Sequence, residues 1–185
     1  TDEILTLLNN QRHLITLGLW GTHITDTGLS HLSNLRSLRH LDLTETGVTD
    51  AGLRHLKSLP ELSILTLNRT NISNKGLKHL RHCVQLSVLA LNHTQITDEG
   101  LVHLHHLKML HWLRIGNTTV TGIGMSHLAG MAQLKTLNLQ YTRVSGIDEL
   151  KYLSQLTTLS LSGTNITRSD RLELQKLLFP CVIVP

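Results

Sequence analysis

Thirteen histidines in a chain of 185 residues are the first side chains to question for chemistry. Five of them, His31, His55, His79, His103 and His127, recur every 24 residues, each just before a leucine. A metal site needs its ligands within about 2.0–2.1 Å of one ion. Adjacent helices on the convex side stand about 10 Å apart, so this column cannot easily close on one ion. It reads as packing on a helix surface. His105, His106 and His111 add local density without an H-x-x-x-H pair beside a carboxylate. The column is also a candidate pH sensor, because imidazole charges between about pH 5 and 8. Asp42, Glu45 and Asp148 make no credible acid–base pair. There is no G-x-S-x-G elbow, phosphate-cradling glycine loop or Cys–His dyad. Cys83 and Cys181, almost a hundred residues apart, read as two buried or half-buried thiols. These residues give no reason to expect catalysis, a metal or a cofactor.

Recognition is the chemistry that remains. Aromatic residues are only 3% of the chain, yet both tryptophans, Trp20 and Trp112, and one of the two tyrosines, Tyr141, fall in one recurring segment. The variable positions of that segment form three columns. The first holds Thr16, His40, Ile64, Val88, Trp112, Thr136 and Thr158. The second holds Gly18, Asp42, Thr66, Ala90, Arg114, Asn138 and Ser160, and the third Trp20, Thr44, Asn68, Asn92, Gly116, Gln140 and Ser162. Just beyond them come Glu45, Arg69, His93, Asn117 and Tyr141. Trp, Tyr and Arg are enriched at the energetic centres of protein interfaces. Ile64, Val88 and Trp112, flanked by His40, form an exposed apolar stripe of the kind that marks a contact patch. The expected partner-binding set is therefore Trp20, His40, Asp42, Ile64, Arg69, Val88, His93, Trp112, Arg114 and Tyr141.

These residues are positioned by a repeat. Units begin at Leu14, Leu38, Leu62, Leu86, Leu110, Leu134 and Leu156; their spacing is 24 except for the sixth, which has 22 residues. Each follows L-x-x-L-x-L-x-x-T-x-(I/V)-T-D-x-G-L-x-H-L-x-x-L closely. The L-x-x-L-x-L part alternates apolar and variable positions, as a half-buried strand does. Thr22, Thr46, Thr70, Thr94, Thr118, Thr142 and Thr164 form a column of buried hydroxyls that need partners, expected in the neighbouring loop backbone. Thr25-Asp26, Thr49-Asp50, Ser73-Asn74 and Thr97-Asp98 offer helix caps. Leu29, Leu32 and Leu35 line one face of a short helix. One such unit cannot bury its own apolar edge, so neighbours must stack. Parallel strands joined by helical crossovers coil right-handedly. Strands about 4.8 Å apart and wider helices force curvature, with the strands inside.

This pattern resembles the leucine-rich-repeat superfamily, from about Leu14 to Pro185. It is most similar to the bacterial and F-box-associated branch whose repeats carry I-T-D-x-G-L. The shorter unit, with VSGIDELKYLSQL, resembles an internalin-like repeat and should shorten the helical side near Tyr141 to Leu156. The resemblance implies an asparagine where this chain has its threonine column, so a hydroxyl ladder is expected in place of an amide ladder. The fold expected is α/β: a right-handed leucine-rich-repeat solenoid, a curved horseshoe with a parallel concave sheet and short convex helices. It forms one domain over 1–185, with a partial repeat at 1–13, seven repeats at 14–168 and a C-terminal cap at 169–185. The cap comprises a helix from Ser169 to Leu178 and a last strand at 181–184.

Thr1, Asp2, Leu5 and Leu8 align with Thr25, Asp26, Leu29 and Leu32, so the sequence opens at the T-D step of a repeat. Its Thr16–Leu19 edge is expected either to be covered by further chain or to self-associate. The function expected is non-catalytic binding of another protein on the concave sheet. Alternatives are a structural or oligomerising array, or the substrate-recognition part of a larger effector or ubiquitin-ligase protein. A formal charge of +4 permits an acidic partner. Lys and Arg gather on the helical side and read as a solvated face. Without interleaved aromatics they argue against nucleic acid. No run approaches the ~20 apolar residues of a membrane span. Two unpaired cysteines and the absence of a basic-then-apolar opening fit the cytoplasm, and a secreted effector is also compatible.

Overall fold

A computed structural model describes residues 1–184. Pro185, the last residue of the expected cap, lies outside the described residues. Eight three-residue strands form one open sheet in strict sequence order. They are β1 (Thr16–Gly18), β2 (His40–Asp42), β3 (Ile64–Thr66), β4 (Val88–Ala90), β5 (Trp112–Arg114), β6 (Thr136–Asn138), β7 (Thr158–Ser160) and β8 (Val182–Val184). Every pairing is parallel, and each residue of β1 to β5 pairs with the one 24 positions later. The period of the sequence is therefore the register of the sheet. The architecture is an α/β solenoid.

Each coil returns along a short helical side: α1 (Asp26–Ser30), α2 (Asp50–Leu53), α3 (Asn74–Leu77) and α4 (Asp98–Leu101), each followed directly by a 3-10 turn. The helices are thus shorter than an amphipathic pattern alone suggests, with about one α-turn before the backbone tightens. The 22-residue unit has no α-helix on this side, only the 3-10 turn Leu150–Tyr152. Helix α5 (Arg168–Leu177) closes the far end under a capping box, in which the Thr167 hydroxyl accepts from the Asp170 N–H and the Asp170 carboxylate accepts from the Thr167 N–H.

The core is aliphatic throughout. Leucines at the repeat positions are almost all at or near zero exposure, and no aromatic side chain joins them. A fully buried Leu contributes about 1.5–3 kcal/mol, and each coil supplies several that no single coil could bury alone. Cys83 replaces one of these leucines and is fully buried; burial pushes its thiol up to about 12. Cys181 is also buried and unpaired.

Two hydrogen-bond columns differ from the sequence expectation. The threonine column is satisfied inside its own turn: each hydroxyl, from Thr22 to Thr164, donates to the carbonyl three residues earlier at 2.5–2.7 Å. A short hydroxyl reaches its own turn but not the next coil, so it forms no ladder. On the helical side, bonds that cross between coils come from the T-D step. Asp26 accepts from the Thr49 N–H at 2.7 Å and the Thr49 hydroxyl at 2.6 Å. Asp2, Asp50 and Asp98 repeat this pair toward Thr25, Ser73 and Thr121. Asn74 accepts from the Thr97 N–H and donates to its hydroxyl. The expected caps are real at Thr25, Thr49 and Ser73 but absent at Thr97. The acids beside them serve the next coil instead of capping their own helix.

This ladder explains the glycine of T-D-x-G-L. A Cβ at Gly28, Gly52, Gly76, Gly100 or Gly124 would fall under 3.0 Å from the carboxylate or amide oxygen of the preceding coil. The ladder stops after Thr121, where Gly122 stands in place of the acid.

Candidate functional site

Every expected binding residue lies on the strand face or its rim. The first column is continuous across the sheet, because His40 pairs with Ile64, Ile64 with Val88 and Val88 with Trp112. Trp112 is 46% exposed, while Ile64 and Val88 are half-buried. The expected exposed stripe is therefore a partly sunken apolar floor with Trp112 standing at its end. The Arg114 guanidinium lies 5.9 Å from the centre of the Trp112 ring, within range of a cation–π attraction. Next to Gly18, whose missing side chain leaves open space, a hollow of about 290 Å³ is walled by His40, Asp42, Ile64 and Thr66. Trp20 stands beyond it on the first coil, 65% exposed.

Asp42 is tied into the sheet more firmly than a free contact would be. Its carboxylate accepts from the Thr66 hydroxyl at 2.5 Å and from the Thr44 N–H at 2.9 Å. Partial burial alone would raise its pKa. The bonds from Thr66 and Thr44 outweigh that and hold it below the usual carboxylate range.

The rim carries a feature that spacing alone did not reveal. Glu45, Arg69, His93, Asn117 and Tyr141 all have left-handed backbone, with φ between 52° and 57°. The equivalent positions in the first and seventh coils are Gly21 and Gly163, also left-handed. This conformation extends the parallel ladder by one bond: each of these N–H groups donates to a carbonyl of the next coil, as from Arg69 to Asn92 at 2.9 Å and from Tyr141 to Ser162 at 2.8 Å. Glycine adopts it freely, whereas L side chains are disfavoured there by roughly 1–2 kcal/mol per residue. Five consecutive coils keep a side chain all the same, and all five are exposed. Arg69 pairs with Glu45 across coils at 2.7 Å. At this exposure such a pair contributes about 0–1 kcal/mol.

Behind the rim runs a chain of amides. The Asn68 Oδ1 accepts from the Asn92 N–H, and the Asn92 Oδ1 accepts from the Gly116 N–H at 2.8 Å. The amide ladder missing from the threonine column is thus present in part, moved to the third strand column. Together with Arg69, His93, Asn117 and Tyr141 these amides line a shallow trough of about 260 Å³. The signal for the left-handed column was in the sequence, in the alternation of Gly21 and Gly163 with larger residues at one repeat position.

The histidine column is half-buried at His31, His55, His79 and His103, and exposed at His127. Among the described residues no group of three or more His, Cys, Asp or Glu is placed to hold a metal ion, and no helix is long and apolar enough to cross a membrane.

Comparison with known proteins places this geometry. A Leucine rich repeat family matches residues 108–166, and a second Leucine Rich repeat family matches 34–57 and 82–104. The structure is similar to internalin C2 of Listeria monocytogenes, with 28% identity and a TM-score of 0.73, covering 97% of this chain and 74% of that one. It is also similar to an internalin (inlF) of the same organism, with 23% identity and a TM-score of 0.56, covering 97% of this chain and 63% of that one. For that second protein the likeness is one of fold alone, and this chain spans less than two thirds of its length. No curated protein sequence matches. With repeat patterns recognised over both halves and the fold shared along nearly its whole length, the chain is a leucine-rich-repeat protein of the kind that generally serves as a protein–protein interaction module.

Proposed function

We propose that the chain binds a partner protein across its strand face. Trp112, Arg114, Val88, Ile64 and His40 form the floor of the contact, and Arg69, His93 and Tyr141 form its rim, with Asp42 holding the floor in place and Trp20 at its first-coil end. The observation that carries this reading is the left-handed column. Backbone strain of this kind, of order 1–3 kcal/mol per residue, persists where side chains are needed for a task other than folding. The rim side chains are exposed and add little to the core. The aromatic distribution supports the same face, since Trp20, Trp112 and Tyr141 project to solvent from a molecule whose interior uses none.

The test separates binding from folding. Replacing Arg69, His93 and Tyr141 together with glycine relieves the backbone and should leave the Tm unchanged or higher. Trp112→Ala with Val88→Ser should leave the array folded. Both variants should lose the partner that the parent chain captures, as read by cross-linking and mass spectrometry. Capture of the same partner with the same affinity by both variants overturns the reading. The I-T-D-x-G-L repeats support the further view that the array is the recognition part of a larger effector or ubiquitin-ligase protein. A second reading is self-association through Thr16–Leu19. It rests on the outer side of β1, unpaired among the described residues, and on Ile15 beside it, 54% exposed. Sedimentation of a Leu17→Lys variant distinguishes it: loss of a dimer supports the edge, and an unchanged monomer excludes it.

A further inference from the structure

The helical side carries a concentration of positive charge that the strand-face reading does not use. Three successive 3-10 turns, Arg54–Ser58, Lys78–His82 and Val102–His106, contain no acidic residue and hold Arg54, His55 and Lys57, then Lys78, His79, Arg81 and His82, then His103, His105 and His106. Between the second and third turns lies a cleft of about 210 Å³ lined by Lys78, Arg81, His103 and His106. The ion pairs found among the described residues lie elsewhere, at Arg39–Glu61, Arg69–Glu45 and Lys151–Asp148. Among the described residues, no carboxylate therefore comes within 4.0 Å of the four groups in the cleft.

The surrounding side chains sharpen this. The Arg81 Nε donates to the His82 Nε2 at 3.0 Å, which needs that nitrogen unprotonated and fixes the guanidinium beside the cleft. The His106 ring packs against His105 in a tilted pair, 3.7 Å between ring centres, and the His105 Nδ1 donates to the Val102 carbonyl. From α3 the nearby charge is Lys75, and from the turn Ile123–His127 it is His127. The acids of the packed elements are Asp50, Asp98 and Glu99 at the helix starts. Asp50 and Asp98 already bond Ser73 and Thr121 in the ladder. Like charges gathered without a counter-ion repel one another, and an oxyanion in the cleft would relieve that repulsion while accepting charge-assisted hydrogen bonds.

We propose that the cleft between Lys78–His82 and Val102–His106 is an oxyanion site that takes a phosphate or sulfate group on Lys78, Arg81, His103 and His106, and that it binds more tightly in mild acid. Lys78 and Arg81 supply constant charge, and His103 supplies a titrating share. Burial lowers the pKa of His103, and Lys78, His105 and His106 add to that effect. Its charge is therefore withheld at neutral pH and gained on acidification. A doubly charged ligand resists loss of that proton, so binding and protonation reinforce each other.

Inorganic sulfate is the probe for the pH dependence, because its own charge is constant through the range where imidazole titrates. The ring protons of His103 and His106 should shift saturably in NMR spectra of the full chain. Affinity should rise by up to about tenfold between roughly pH 7.5 and 5.5, the gain that a one-unit rise in one imidazole pKa provides. Lys78→Gln with Arg81→Gln should abolish the shifts, while Lys151→Gln should leave them intact, with the fold checked by circular dichroism. No saturable shift, or an equal shift in the Lys78/Arg81 variant, overturns the site. Inorganic phosphate and phosphatidylcholine vesicles containing phosphatidic acid then separate the sources. Saturation by phosphate alone assigns a free anion, and retention on the vesicles assigns a lipid headgroup. Failure of both to compete with sulfate overturns the assignment to phosphate.

Discussion

Asp26 and Gly52 share one contact, which gives the T-D-x-G-L motif a test at the scale of single residues. The Asp26 carboxylate bonds the Thr49 N–H and hydroxyl while lying over the bare Cα of Gly52. Gly52→Ala raises intrinsic helix propensity by up to about 1 kcal/mol, yet it displaces a carboxylate whose bonds contribute about 1–3 kcal/mol each. It should therefore lower the Tm, whereas Gly130→Ala, with open space around its Cβ, should not. Asp26→Ala should cost about 1–3 kcal/mol through the unpaired Thr49 groups. In that background Gly52→Ala should become neutral or stabilising, because the atom it displaces is gone. Thermal melts of the two single variants and the double variant give the coupling directly. Additive effects would show that the glycine has another purpose.

At the scale of elements, helix α5 is held by a box that titrates. The Thr167 hydroxyl and N–H both donate to the Asp170 carboxylate and hold it below its ordinary value, with a small opposing push from desolvation. A folded pKa below the unfolded one, near 3.9, stabilises the helix above that value. The contribution fades as pH falls through the lower, folded value. Amide protection across Arg168–Leu177, measured against the intrinsic exchange rate, should therefore fall in that acid window, and Asp170→Asn should show the lower protection already at neutral pH. Equal exchange in the two chains at both pH values would dismiss the cap. The strands and this helix were legible from periodicity, the helix to within one residue at each end. The α-to-3-10 change in each coil was not, because i and i+3 leucines fit either helix. Asp26 was read as a local cap because sequence shows nearest neighbours, and its partner Thr49 lies a full coil away. The left-handed rim went unread for another reason: Arg69 and Tyr141 do not resemble residues that adopt positive φ.

For the whole molecule, the 24-residue register shared from β1 to β6 makes those coils exchangeable. Deleting residues 62–85 removes one period and leaves β2 facing β4, with Asp50 meeting Thr97 where it met Ser73. The shortened chain should fold with a lower Tm and a denaturant m-value reduced in proportion to the surface lost. Deleting residues 62–84 should cost more, since it leaves one residue over in the turn before β4, which must bulge out or shift the strand out of register. Circular dichroism and denaturant melts read both. Equal stability of the two deletions would mean that register is not what binds the coils. The binding floor shares this dependence. His40, Ile64, Val88 and Trp112 are neighbours only because four coils keep the same count, so the removed coil takes Ile64 with it and shortens the contact.

The buried thiols turn the array into its own timekeeper. Cys83 sits in the middle of the stack, where alkylating reagents meet a sulfur that is both hidden and held as the unreactive SH form. Cys181 occupies the far end, beside β8. Exposure of one before the other records whether the coil stack frays from its end or opens through its centre, and the native side chains write that record without any added label.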